Sequence, residues 1–69
     1  MIFKIESMYG NGKPCDNAYF DKKSKQWHVE INTLDELIEI VNGSYGVALF
    51  PPNEGETLYE ICTDVSFIE

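Results

Sequence analysis

The stretch Thr33-Leu34-Asp35-Glu36-Leu37-Ile38-Glu39-Ile40-Val41-Asn42-Gly43 decides the fold. It reads as an amphipathic helix over about 33–42 with both ends written in. Thr33 and Glu36 have capping-box spacing: the Thr33 hydroxyl accepts from the Glu36 amide, and the Glu36 carboxylate reaches back to the Thr33 amide. Leu34, Leu37, Ile38 and Val41 recur at i, i+3, i+4 and i+7, which predicts one apolar stripe facing a core, widened by Ile40. Asn42-Gly43 is a stop, with Gly43 expected to take the left-handed conformation after the last turn. Asp35, Glu36 and Glu39 fall off the stripe. The first two suit the positive end of the helix dipole.

Working outward, the flanking segments alternate as short strands. Ile2–Tyr9 places Phe3 and Ile5 on one face and Lys4 and Glu6 on the other. Gly10–Pro14 is a loop that lacks P-loop spacing, which argues against nucleotide binding. Asn17–Asp21 is a second strand, and Lys22–Lys25 a polar hairpin tip. Gln26–Ile31 is a third strand, with Trp27, Val29 and Ile31 opposite His28 and Glu30. After the helix, Val47–Phe50 is a continuous apolar run, expected as a central strand buried on both faces or covered by the helix. Thr57–Thr63 alternates as a fifth strand. Its facing stays open, because Tyr59 with Ile61 and Leu58 with Cys62 are both consistent with a core face. A last short strand is expected over 65–68. The order β-β-β-α-β-β predicts an α+β fold, a small, mostly antiparallel sheet packed on one helix, as a single domain over 1–69.

At 69 residues the chain buries only about 60% of its unfolded surface, so a homodimer is a natural route to added stability. A hydrophobic fraction of 43% argues against disorder. No apolar run is long enough for a membrane span. The N-terminus carries a charge by its fourth residue, against a signal peptide. With two cysteines in such a chain, Cys15 and Cys62 are expected as reduced thiols, although a bridge between neighbouring strands stays open.

Charge is strictly segregated. All five lysines precede residue 26 and arginine is absent, whereas Glu30, Asp35, Glu36, Glu39, Glu54, Glu56, Glu60, Asp64 and Glu69 follow with no basic residue among them. The net charge of −7 repels phosphate backbones and anionic lipid and attracts basic surfaces. The plainer alternative is that charge serves solubility alone. Tyr9, Tyr19, Tyr45 and Tyr59 sit in an acidic context that argues against direct nucleic-acid binding, and exposed ones suit a protein interface. Cys15, His28 and Cys62 are the only soft metal donors. They lack zinc-site spacing, so a small metal- or ligand-binding domain is a further alternative, with no metal and no cofactor as the leading expectation. No nucleophile, base and oxyanion arrangement emerges, which points away from an enzyme.

The stretch Trp27-His28-Val29-Glu30-Ile31-Asn32-Thr33-Leu34-Asp35-Glu36-Leu37 resembles a pattern in small acidic proteins of phages and prophages of low-GC bacteria, where a strand runs into "v-e-I-n-s/t-L-e-e-L". A helix, a glycine, a hydrophobic strand and an acidic-ended C-terminal strand then follow, as in residues 26–69 here. Some proteins of this kind inhibit host defence systems, anti-CRISPR proteins among them. The resemblance implies an inhibitor in the cytoplasm of a bacterial host, and the acidic charge points to a protein partner with a basic surface. The residues expected to make that contact are Asp35, Glu36, Glu39, Glu54, Glu56, Tyr45 and Tyr59. An oligomeric accessory module is the alternative.

Overall fold

In the computed structural model, residues 1–9 and 12–64 are described; the strand expected over 65–68 and part of the Gly10–Pro14 loop lie outside them. The chain forms β1 (Ile2–Ser7), β2 (Tyr19–Asp21), β3 (Gln26–Glu30), α1 (Leu34–Asn42), β4 (Val47–Phe50) and β5 (Glu60–Thr63). This is the expected α+β fold in the expected element order. The five strands make one sheet in the spatial order β2-β3-β1-β5-β4. β1 pairs antiparallel with β3 and parallel with β5, and the outer pairs β2–β3 and β4–β5 are antiparallel.

Register assigns the faces. Residues aligned across the sheet project to one side, and successive residues alternate. Ile5, Ile61 and Leu49 share one row, with Phe3, Val29 and Thr63 on the same face. This face carries the core: Ile5, Ala18, Val29, Ile31 and Ile61, against which Phe3, Cys15, Trp27, Leu37, Ile40 and Val47 pack. The open question of β5 is therefore settled, with Ile61 at 0% exposure facing inward and Cys62 outward. Tyr19, His28, Lys4, Glu60 and Phe50 form the next row, on the opposite face.

Two expectations about burial are overturned. β4 is not central: among the described residues it is the outer strand, with Ala48, Leu49 and Phe50 all exposed. β1 takes the central place, and β5 lies inward of β4 because it pairs in parallel with β1. The helix stripe is also rotated. Leu34, Ile38 and Val41 are 76%, 50% and 44% exposed, and the residues that meet the core are Leu37 and Ile40. One helix on a five-stranded sheet has one line of contact, and Ile40 displaces the stripe's far edge from it.

The helix start follows the sequence with one change. The Glu36 amide donates to Thr33 Oγ1 at 3.2 Å, a cap that contributes about 1 kcal/mol. The Glu36 carboxylate reaches back to the Asn32 amide at 3.4 Å and the Thr33 hydroxyl at 3.2 Å, not to the Thr33 amide. The Met1 amino group, held by Ile31 O and Asn32 Oδ1, fixes the start of β1 beside this turn. At the other end Gly43 has φ −83°, so it does not enter the left-handed region. Ser44 closes the helix instead, its hydroxyl donating to Ile40 O at 2.9 Å and its amide to Val41 O at 3.1 Å.

Candidate functional site

Strand direction sets one group of carboxylates and one group of lysines at opposite ends of the sheet, with Asp21 and Asp64 also at the lysine end. At one end lie Glu30, the last residue of β3, and the β4–β5 connection with Glu54 and Glu56. The helix also starts there, with Asp35 and Glu36 in its first turn and Glu39 one turn on. At the other end lies the β2–β3 turn with Lys22, Lys23 and Lys25. That turn is built by Asp21, whose carboxylate accepts from the Ser24 amide and hydroxyl at 3.0 and 2.6 Å, while Lys25 takes φ +58°. The same two Ser24 bonds hold the Asp21 carboxyl below its usual range.

The expected contact residues separate into groups. Asp35, Glu39 and Glu54 are exposed. Glu36 is tied to the helix cap. Glu56 is neutralised locally by Lys4, with Nζ 3.0 Å from Oε2. The Lys4 bond, the Asn53 side chain and the Lys4 charge lower the Glu56 pKa, and the same bond raises that of Lys4. Tyr59 lies at the acidic end, its ring 6.4 Å from that of Phe3. Tyr45 lies at the far end, fully exposed, with its amide donating to Asp64 Oδ1 at 2.8 Å. Asp35, Glu36, Glu54, Glu56 and Tyr59 therefore lie at one end of the molecule, with Glu39 one turn along the helix and Tyr45 at the far end.

A cleft of about 310 Å³ opens between the helix and the loop of residues 14–17. Its floor is Val29, Ile31 and Ile40, and its rim includes Asp16, Glu36 and Glu39. The Cys15 thiol also lines it, with its pKa pushed up chiefly by burial.

The three soft donors are not brought together. Cys15 packs on the core side, whereas His28 and Cys62 project from the opposite face, on strands separated by β1. No group of three or more metal-ligating side chains forms among the described residues. Both cysteines are free, and the sheet between them rules out the bridge left open by sequence. The His28 ring stands edge-on to Tyr19, with centroids 6.0 Å apart.

Sequence reasoning missed the cross-strand cluster around Glu60. Burial raises its carboxyl pKa first, then a hydrogen bond and repulsion from Glu6, its diagonal neighbour on β1, against the pull of Lys4. Only the parallel β1–β5 register brings these residues together, and no local pattern announces it. Among the described residues no helix is long and apolar enough to cross a membrane. Compared with family models, curated proteins and solved structures, the chain finds no significant match.

Proposed function

We propose that this chain is a non-enzymatic binding protein whose acidic end docks on a basic, nucleic-acid-binding surface of another protein. The observation that supports this is the separation of charge along the sheet. Asp35, Glu39 and Glu54 stand exposed at or near one end, and Lys22, Lys23 and Lys25 are collected at the other. Exposed carboxylates grouped in this way on a chain of net charge −7 attract an approaching basic surface before contact and disfavour acidic partners. With the phage-protein resemblance, the partner class is a bacterial host defence protein, such as a CRISPR effector, met in the host cytoplasm.

The test is a pull-down from bacterial lysate at rising salt, followed by charge reversal. Asp35→Lys, Glu39→Lys and Glu54→Lys together spare the Glu36 cap and the Glu56–Lys4 pair, and circular dichroism checks that the fold is retained despite the reversed charge in the first helical turn. Association with the captured partner is expected to slow at least about tenfold. Added DNA or RNA is expected to compete, because it needs the same basic surface. A partner that holds this protein and nucleic acid at once, without salt dependence, contradicts the reading.

A further inference from the structure

The geometry points to a second copy of this chain as the partner of β4, the two strands pairing edge to edge and antiparallel about a two-fold axis. One side of β4 is bonded to β5, and among the described residues nothing pairs with the other. Alternate N–H and C=O groups along that side are left for an added strand. Outer strands are usually blunted by charge, proline or shortness. The opposite edge, β2, has three residues and runs straight into Lys22 and Lys23. β4, one residue longer, has no charge within it: Val47-Ala48-Leu49-Phe50 is apolar throughout, and Pro51-Pro52 limits how far pairing extends.

Charge selects the occupant. Residues 40–53 contain no charged side chain, although the chain carries 12 acidic and 5 basic residues elsewhere. This neutral stretch includes β4 and Val41 and Tyr45, exposed at 44% and 100%. Within that stretch a basic partner finds no carboxylate; Asp64, from outside it, is tied to the Tyr45 amide. Another copy, itself at −7, approaches most closely where like charge is sparsest, and this stretch, with Asp64 beside Tyr45, is the longest uncharged run in the chain.

Symmetry then joins the helix to the same interface. In an antiparallel edge pair the two-fold axis is normal to the sheet, so both helices lie on one side of the combined sheet. The Glu36, Glu39 and Gly43 flank of the helix faces the 14–17 cleft. At 100° per residue, Leu34, Ile38 and Val41 fall on the opposite flank, turned away from that cleft. Leu49 projects from the helix side of the sheet yet is 57% exposed, so the helix leaves it uncovered. Edge pairing places the two Leu49 side chains beside the seam, with the two exposed helix flanks closing over them. The flanks are needed: a standard interface buries about 800 Å² per partner. That is a large share of the 5045 Å² surface, and four strand residues alone cannot supply it.

Sedimentation equilibrium between about 10 µM and 1 mM spans the range for a modest interface of this kind. The expected result is a mass approaching twice 7.9 kDa, with association strengthening as salt screens the like charges. That salt trend is opposite in sign to the one expected for a basic partner. Leu49→Lys and Ile38→Lys, at positions at least half exposed, are expected to give folded monomers by circular dichroism. Tyr9→Lys, 70% exposed after β1, should leave the dimer intact. Amide protection across 47–50 is expected to rise with concentration in the natural sequence and not in Leu49→Lys. A 7.9 kDa monomer at the highest concentration overturns the proposal. If a chain ending at Asp64 then dimerises, residues 65–69 are the occupant instead. A dimer that survives Leu49→Lys with 47–50 unprotected overturns it equally, and assigns association to another face.

Discussion

Ile61 and Leu49 are aligned on neighbouring strands and project to the same face, yet Ile61 is fully buried and Leu49 is 57% exposed. β5, with Glu60, Cys62 and Thr63 around its isoleucine, looks like the less committed strand. β4 is all apolar and looks like the core. The structure reverses them because burial here follows position in the sheet order. β5 is flanked by β1 and β4, while β4 is flanked, among the described residues, by β5 alone. The strand that reads as most hydrophobic is thus the one left with surface to offer.

The largest expected effect tests this contrast directly. Ile61→Ala opens a cavity in a core of five buried hydrophobic residues and should cost about 2–5 kcal/mol, enough to unfold much of the population of so small a domain. Leu49→Ala, measured by urea unfolding at concentrations where the chain is monomeric, should stay within about 0.5 kcal/mol. Equal losses at the two positions would break the comparison.

A smaller effect sharpens it on the opposite face. Glu60 meets Lys4 and Glu6 from β1, with Glu56 and Cys62 nearby. Its folded pKa lies above the ordinary value, through burial and then Glu6. Between the ordinary and the raised value the folded state holds more protons than the unfolded chain, so this group's contribution to stability falls as pH rises through that window. Glu60→Gln should flatten that slope and stabilise the protein at neutral pH by about 0.5 kcal/mol, the scale of a like-charge cross-strand contact. Denaturation midpoints from pH 4 to 8 would read it, and an unchanged slope would mean that the fold does not raise the Glu60 carboxyl.

Much of the fold was legible because its signals are local. The Thr33–Glu36 cap, the alternation of β1 and β3 and the polar Lys22–Lys25 turn each lie within a few residues, and each appears nearly where expected. What escaped is set by pairings distant in sequence. The parallel β1–β5 ladder joins Lys4 to Glu60, and it decides the edge status of β4, the facing of Ile61 and the Glu6–Glu60 contact. The helix face was misread for a related reason. Leu34, Ile38 and Val41 obey amphipathic spacing, but that periodicity cannot tell which edge of a broad apolar arc meets the sheet. At the candidate site, sequence identified the acidic residues, while the neutralisation of Glu56 by Lys4 needed contact across 52 positions.

The most direct measurement of the central claim, that β5 lies between β1 and β4 in parallel register with β1, is disulfide trapping at Cys62. Glu6 is its aligned neighbour on β1, with both side chains on the face opposite the core, while Ser7 projects to the core side. In a Cys15→Ser background, Glu6→Cys should cross-link to Cys62 readily under mild oxidation, because aligned strand neighbours fall within the about 4.4–6.8 Å Cα separation that a disulfide accepts. Ser7→Cys should not. Cross-linking from position 7 and none from position 6 would contradict the register, and with it the reversal of β4 and β5.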